Sequence, residues 1–424
     1  MRFIKLSLII LMIWGSACKV QTYTTVKVDG SQEAAPGLKV SGNKLVDNSG
    51  QQIRLRGASF NNFAIFPPTT SMIDFIKQRG GNVVRLPLYV DQDPKSINYD
   101  DFKGKIDTLA QYAIAQGMYV ILDFHPIADP KNPAFTEAAK RFFADMVPAY
   151  GKSGKVFYEI FNEPKDATWD DIKQYAATMI PYIRDLEKQN SVGNPAVIIV
   201  GTPDWSSVIS APAQAPLADA NVMYTFHFYA RQHKYTEELE AIADKIAIFV
   251  TEWSPFDPKD IFAPQIDREN LSQLIDWMDR KQISFTCWSF SDEQGMYRWF
   301  RTDSLKGQAS DDKLEPWGRL AIKRIQAEPE LTNDVRSGDK SLNTDATTKL
   351  DSELNDFEKE LTGQAPTDGG SGSSATKQTD PRCKDHNNDQ LTCPALPINP
   401  GEEKCLWNQK WQCVDGCAHW VAKC

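Results

Sequence analysis

The chain has 424 residues, of which 41% are hydrophobic and 11% aromatic, so it can bury one large core and still carry smaller additions. Its formal net charge of −9 argues against a nucleic-acid-binding protein, which needs a clustered basic surface. A neutral or apolar substrate fits this charge balance better.

The amino terminus has the composition of an export signal. Basic residues precede an apolar stretch over residues 6–14, which is shorter than the roughly 20 residues of a membrane-spanning helix. Small residues before Cys18 resemble a lipoprotein cleavage site, although Gly15 is unusual there. Two predictions stay open for residues 1–18, ordinary secretion or lipidation of Cys18 in an outer-membrane lipoprotein. Both place the protein outside the cell or on its surface, with a linker over 19–36.

Cysteine is concentrated at the other end of the chain. Six of the eight cysteines lie between residues 383 and 424, which predicts a small disulfide-rich module over 381–424 without choosing among its pairings. Cys287 lies in an apolar run and is predicted to be a buried free thiol. The candidates for disulfides are Cys383, Cys393, Cys405, Cys413, Cys417 and Cys424.

Eight apolar segments are predicted to be strands, and helical patterns lie between most of them. Near-continuous hydrophobicity is typical of strands that are buried on both faces. The alternation predicts an α/β protein, a (β/α)8 TIM barrel over residues 37–327, in which only the link at 206–220 lacks a convincing helix. The predicted strands are 53–60, 82–88, 119–125, 156–161, 196–201, 222–229, 247–252 and 284–290. The predicted helices are 71–79, 99–116, 135–150, 169–189, 237–245, 268–281 and 315–326.

Two further segments flank the barrel. Residues 38–46 and 51–55 surround a turn-forming Asp-Asn-Ser-Gly sequence, which predicts a hairpin that closes the barrel floor. Residues 328–380 are rich in small and polar residues and predict a linker. Within it, apolar residues from Leu350 to Leu361 recur at helical spacing, which favours one amphipathic helix docked on the barrel.

Two glutamates, Glu163 and Glu252, lie at the carboxyl ends of the fourth and seventh predicted strands. Barrels of this kind keep their chemistry at the carboxyl ends of the strands, and these two strands lie on roughly opposite walls. Glycoside hydrolysis with retention needs two carboxyl groups about 5–5.5 Å apart, one to protonate the leaving oxygen and one to attack the sugar. Asn162, beside the first glutamate, is a candidate partner for the 2-hydroxyl group of the sugar.

Several segments of the chain resemble glycoside hydrolase family 5, most closely its bacterial endoglucanases. The sequences YEIFNEP at 158–164 and VTEW at 250–253 carry the likeness, which covers approximately residues 37–326. Further matching segments are LRG at 55–57, NVVR at 82–85, GTPDW at 201–205 and HFYA at 227–230.

The resemblance implies a retaining endo-β-1,4-glucanase (a cellulase), with Glu163 as the acid/base and Glu252 as the nucleophile. It implies that Arg85 pairs with Glu252 and keeps it ionised, since an adjacent guanidinium lowers a carboxylate pKa. It also implies that Tyr229 hydrogen-bonds to the nucleophile. The other implied substrate contacts are His125 and His227 at the reacting sugar, Trp288 as the stacking face and Trp205 as a further wall.

Other functions stay open beside this one. The family also contains enzymes that act on mannan, xyloglucan or mixed-linkage glucan. A surface glycan-binding protein that has lost turnover is a further alternative, against which the intact pair of glutamates and Arg85 argue. Zinc bound by His125 and His227 is disfavoured, because the first strand lacks His-x-His and no third ligand clusters nearby. We therefore expect a monomer without metal or organic cofactor, whose partner is a polysaccharide, with cellulose as the expected substrate.

Two more acidic residues and two departures from the family pattern bear on these roles. Glu159 is expected to be buried in the barrel and paired with Arg56, and Asp123 to have a structural role. Asn61 stands where the family often has histidine, and Phe124 where it often has tryptophan. Both departures concern which polysaccharide is preferred and leave the acid and the nucleophile unchanged.

The tryptophans of the Cys-rich module allow two interpretations. Trp407, Trp411 and Trp420 either form the small core that such a scaffold needs or present an aromatic strip that binds carbohydrate. In the second case, the linker would tether the enzyme to an insoluble polymer and raise its effective concentration there.

Overall fold

The computed structural model describes residues 37–64, 67–90, 94, 97–256, 265–293, 295–327, 331–333, 340–342 and 344–362, and the backbone of three strands between 403 and 423. The predicted export signal at 1–18, the linker at 19–36 and most of the linker at 328–380 lie outside the described residues. Within the described residues, no helix combines the length and apolarity that crossing a membrane requires.

Eight parallel strands form a closed barrel, which confirms the predicted (β/α)8 fold. The first strand pairs with the second and the eighth, and the second also pairs with the third, so no edge is left open. The barrel strands, numbered in chain order, are Arg56–Phe60, Val83–Val90, Tyr119–Ala128, Val156–Glu159, Val197–Val200, Val222–Thr225, Ile248–Val250 and Ser284–Phe290.

Helices cover the outside of the barrel and bury one face each. In the helix after the seventh strand, Leu271, Leu274, Ile275 and Met278 are buried at the spacing of an amphipathic helix. The weak link after the fifth strand contains only two short elements. Pro203–Ser206 is a left-handed turn, with positive φ at Asp204, Trp205 and Ser206, and Ser210–Gln214 is a short helix. The helical elements, with the turn counted as α5, are α1 Thr70–Gln78, α2 Tyr99–Ala115, α3 Pro133–Tyr150, α4 Trp169–Gln189, α5 Pro203–Ser206, α6 Ser210–Gln214, α7 Glu237–Ala243, α8 Arg268–Arg280 and α9 Pro316–Gln326.

A hairpin closes the floor of the barrel, as predicted, but its turn lies earlier in the chain. Lys39–Ser41 pairs with Lys44–Val46 around Gly42, whose φ of 62° suits the tight turn. The predicted pairing across the later turn is reduced to one bridge between Val46 and Gln52. Leu38, Leu45 and Leu55 pack in one cluster with inward-facing residues of the barrel strands.

The predicted amphipathic helix of the linker is α10, Thr344–Thr362, and it docks on the barrel. Leu350, Leu354 and Phe357 are buried. Beside them, Arg324 of α9 pairs with Glu353 at 2.9 Å and with Asp279 of α8. A buried ion-pair network therefore joins the linker helix to the barrel.

Three antiparallel strands lie in the predicted Cys-rich module, Glu403–Leu406, Gln409–Val414 and Cys417–Lys423. Only their backbone is described, so the predicted disulfides lie outside the described part of the chain. In the backbone register, Trp411 is the partner of Trp420.

Candidate active site

The interior of the barrel changes from apolar to polar toward the carboxyl ends of its strands. Residues two apart on a strand face the same side. The residue two positions after each apolar floor residue therefore also points into the barrel, one layer further toward the carboxyl ends of the strands. Val83 is thus followed by Arg85, and Phe157 by Glu159. The polar layer that results is buried and consists of Arg85, Asp123, Glu159, Thr225 and Thr251.

Arg85 is the centre of this polar layer. Its guanidinium group is fully buried and bonds to five side chains of the barrel. Burial opposes its charge, but Asp123, Glu159 and Glu252 outweigh burial and raise the pKa of Arg85 above its ordinary value. The contacts are Nε to Glu159 Oε2 at 2.6 Å, Nη1 to Glu252 Oε1 at 2.6 Å and to Ser59 Oγ at 3.2 Å, and Nη2 to Asn162 Oδ1 at 2.6 Å and to Asp123 Oδ2 at 3.0 Å.

The predicted pair between Glu159 and Arg56 is wrong. Arg56 lies at the start of the first strand, where its side chain donates to the carbonyl of Ala327 at the floor. Glu159 ends the fourth strand, close to Arg85, and its other oxygen accepts from Thr251 at 2.8 Å. The expectation that this carboxylate is buried and paired is confirmed, with a different partner.

Glu252 receives hydrogen bonds on both carboxylate oxygens. Arg85 donates to Oε1 at 2.6 Å, and the Tyr229 hydroxyl donates to Oε2 at 3.1 Å. Burial raises the pKa of Glu252, while Arg85 acts in the opposite direction. Both contacts were predicted for this residue.

Glu163 lies close to Glu252. Its Oε1 lies 2.9 Å from Nδ1 of His227, whose Nε2 lies 2.9 Å from the Thr251 hydroxyl. One oxygen of each glutamate and one nitrogen of His227 lie within 4.8 Å of one another. Burial and the charge of Glu252 raise the pKa of Glu163 well above its ordinary value, and burial together with Arg85 lowers that of His227.

A break in the fourth strand brings Glu163 to this position. The strand stops at Glu159 and resumes as Glu163–Pro164, which pairs with the end of the third strand. Gly201 makes room for the break, because a Cβ there would lie 2.4 Å from the carbonyl oxygen of Phe161. Asn162 and Glu163 can therefore both reach the interior.

Aromatic side chains line the cavity. His125 packs against Tyr89, at 4.1 Å between ring centroids, and against Trp288, at 5.8 Å and nearly parallel. Trp205 is 42% exposed, and its backbone is held in a left-handed conformation with φ of 55°. Strain of this kind persists only where neighbours enforce it, and the adjacent Ser206 does so by donating to the carbonyl of Asn162 at 2.6 Å.

The structure thus brings most of the predicted site residues into one network. Arg85, Asn162, Glu163, His227, Tyr229 and Glu252 are linked by direct contacts, and His125 joins through Asp123 at 2.6 Å. Trp288 packs on His125, whereas Trp205 stands at the edge. Sequence reasoning missed the contacts of Asp123, Tyr89, Thr225 and Thr251. Polar residues inside apolar strands were the available signal for the two threonines.

The grouping of Glu163, His227 and Glu252 also has the spacing of a metal site. Each of these side chains already has a protein partner, and the Arg85 guanidinium bound to Glu252 would repel a cation. This donor set therefore fits acid–base chemistry better than metal binding.

A (β/α)8 barrel with two buried, facing carboxyl groups in unlike surroundings defines the class of the protein, a glycoside hydrolase. Residues 46–294 match the family described as cellulase (glycosyl hydrolase family 5). The chain belongs to glycosyl hydrolase family 5.

Known proteins agree with this assignment. An endoglucanase of Clostridium saccharobutylicum is 36% identical over 314 residues, which cover 71% of this chain and 68% of that protein. Endoglucanase E-5 of Thermobifida fusca is 32% identical. The matched region covers 68% of this chain and only 61% of that protein. The match to the crystal structure of its catalytic domain covers 68% of this chain and 97% of that domain, with a TM-score of 0.62 and 29% identity. A variant of that domain in complex with cellotetraose has a TM-score of 0.61, with 28% identity and the same coverage.

The electrostatic coupling of the two glutamates makes a testable prediction. Replacing Glu252 by Gln removes a negative charge beside Glu163, so the pKa of Glu163 should fall, yet stay above its ordinary value because the burial persists. Carbon-13 NMR titration of labelled glutamate side chains measures this shift. The buried Glu187, which lies on α4 and is changed to Gln as a control, should leave the titration of Glu163 as it is. A Glu163 pKa that does not respond to Glu252→Gln would contradict the coupling.

Proposed function

We propose that this protein is an endo-β-1,4-glucanase that hydrolyses internal bonds of cellulose or related β-glucans with retention of configuration. The observation that carries the proposal is the pair of glutamates with oxygens within 4.8 Å, one bonded to Arg85 and the other to neutral His227. The relatives named endoglucanases and the related domain bound to cellotetraose support this substrate class.

In the first step, Glu252 attacks the anomeric carbon while the bond to the leaving oxygen breaks. Arg85 holds its carboxylate in the ionised form, and Tyr229 fixes the second oxygen. Glu163 gives its proton to the leaving oxygen, which departs as a hydroxyl group. The result is a covalent glycosyl ester on Glu252, as expected for two carboxyls at this separation.

In the second step, water replaces Glu252 on the anomeric carbon. Glu163, now ionised, accepts a proton from the attacking water, and the carboxylate of Glu252 leaves. Asn162 is suited to assist both steps, because Oδ1 is held by Arg85 while Nδ2 is buried without a partner among the described residues. Its free N–H groups can donate to the 2-hydroxyl oxygen of the sugar.

The roles of the two glutamates are separated by azide rescue of alanine variants. Without Glu252, azide fills the vacated space and attacks dinitrophenyl β-cellobioside directly, so we expect an α-glycosyl azide. Without Glu163, the ester still forms and azide then displaces it, so we expect a β-glycosyl azide. On polysaccharide, Glu163→Gln should lose about 10²–10⁴-fold in rate. Glu252→Gln should lose at least as much. Glu187→Gln is the matched control and should keep full activity; wild-type turnover by either active-site variant would reject the assignment.

The polysaccharide is tested by a product profile. We expect faster release of oligosaccharides from carboxymethyl-cellulose and barley glucan than from mannan or xyloglucan. The viscosity of the polymer should fall early, because internal bonds are cut. Preferred hydrolysis of mannan or xyloglucan would assign the protein to another specificity within the family and leave the mechanism standing.

We further propose that the module at 381–424 binds insoluble glucan through its tryptophans. Deleting 381–424 should weaken retention on crystalline cellulose and slow its hydrolysis, with unchanged turnover of soluble substrate. A pull-down with insoluble cellulose, with the active-site variant Glu252→Gln to prevent digestion, measures retention. Equal retention of the full and the shortened chain would reject a binding role for the module.

A further inference from the structure

Aromatic packing fixes the plane of the His125 ring, but it does not fix which edge of the ring faces the site. Tyr89 and Trp288 both pack against the ring, and the Trp288 ring is only 9° from parallel. A half-turn about the Cβ–Cγ bond would leave the ring in the same plane and would exchange a nitrogen with a carbon. Aromatic packing alone cannot therefore decide which ring atom faces the cavity.

Asp123 decides it. Its Oδ2 lies 2.6 Å from His125 Nδ1, which fixes the position of Nε2, and Nε2 has no hydrogen-bond partner within the described residues. The same Oδ2 lies 3.0 Å from Arg85 Nη2. Oδ1 is buried and has no partner in the described part of the chain. A proton on Oδ1 would be an unsatisfied buried donor, so a proton held by this pair belongs between Oδ2 and Nδ1.

We propose that Asp123 and His125 share one proton whose loss reverses the polarity of His125 Nε2 toward the substrate, and that Asp123 is the positioning residue for this contact. While the proton is present, it lies between Oδ2 and Nδ1, and Nε2 carries its own hydrogen and donates. When the pair loses a proton, the imidazole hydrogen moves to Nδ1 and is donated to the Asp123 carboxylate. Nε2 then has a free lone pair and accepts from a sugar hydroxyl. The sugar contact rests on the proposed function; the proton shared by the pair does not.

The charges around the pair place this change near neutrality. Burial raises the pKa of Asp123 to about 7, with Arg85 opposing, while burial and Arg85 lower that of His125 to about 3. The other charged or titratable groups that face the pair are Tyr89, Glu159, Glu163, Glu252 and, across the cavity, His227. The Asp123 charge also raises the pKa values of Glu159, Glu163 and Glu252, so its ionisation is felt by both catalytic carboxyls.

The Asp123→Asn variant isolates this proton. The amide oxygen must face Arg85, because the amide NH2 group would place two donors 3.0 Å apart, and it then also accepts from Nδ1. The variant therefore keeps the orientation of His125 and holds Nε2 as an acceptor at every pH. Asp123→Ala removes the acceptor and leaves the ring direction unselected.

Nitrogen-15 NMR of labelled histidine provides the direct readout in the full chain. We expect His125 Nε2 in the wild type to change from protonated to unprotonated around neutral pH. In Asp123→Asn it should be unprotonated throughout, and in Asp123→Ala the two tautomers should be mixed. A wild-type His125 that keeps one tautomer through the neutral range would overturn the proposal, as would an Asp123→Asn variant that still titrates there. Because this readout needs no substrate, failure of the proposed glucanase function would leave it interpretable.

Kinetics give the functional readout. An imidazole lone pair is a better acceptor for a sugar hydroxyl than a sugar oxygen is for an imidazole N–H, so the low-pH form should be the weaker binder. The ratio of kcat/KM for Asp123→Asn to that of the wild type should therefore change by about 2- to 12-fold through neutrality, the equivalent of one net hydrogen bond. Asp279→Asn removes a buried carboxylate at the other end of the barrel and is the control for a merely structural loss. The ratio of kcat/KM for Asp279→Asn to that of the wild type should not vary with pH. A pH-independent ratio for Asp123→Asn would reject the positioning role of Asp123.

Discussion

The candidate site depends on one constraint, the burial of the Arg85 guanidinium group inside a barrel. A buried charge without partners would cost several kcal/mol, so the surrounding strands must supply oxygens in the right places. Asp123, Glu159 and Glu252 come from the third, fourth and seventh strands and meet on this one group. Removing any of them leaves the others less well compensated. The polar layer is therefore a single unit, in which Glu252, the proposed nucleophile, is also part of what keeps the arginine in place.

This unit also explains why two glutamates in one cavity differ. Glu252 touches Arg85 directly, whereas Glu163 touches neutral His227 and experiences the charge of Glu252. Burial acts on both, and only the first has a bonded cation to oppose it. The difference in proton affinity that the proposed double displacement needs thus follows from the different partner of each carboxyl, Arg85 for Glu252 and His227 for Glu163. The break after Glu159 then turns Asn162 and Glu163 into the cavity together.

Much of this was predictable, and the failures have physical causes. Strand and helix patterns located the barrel because buried strands and amphipathic helices have different periods, and the strand ends located Glu163 and Glu252. The partner of Glu159 was not predictable, because Arg56 and Arg85 both lie in strands, and only the height of each residue in the barrel distinguishes them. The hairpin turn was misplaced because two sequences with turn residues, at Gly42 and Gly50, lie close together and both form turns. The break in the fourth strand could not be predicted, because no periodic pattern in the sequence marks it.

The barrel contains a second buried ion network, and comparison of the two separates stability from chemistry. At the floor, Asp279 is bonded to both Arg54 and Arg324, and although burial acts to raise its pKa, the two arginines lower it. In the site, Asp123 shares a single arginine with Glu159 and Glu252, and its pKa rises to about 7. Both aspartates are buried, but two guanidinium groups bond to Asp279 and only one bonds to Asp123. A network with enough cations keeps its carboxylates ionised and holds α8, α9 and α10 together. In the network around Arg85, where one cation serves three carboxylates, the pKa of Asp123 reaches about 7, so this aspartate can gain or lose a proton near neutrality.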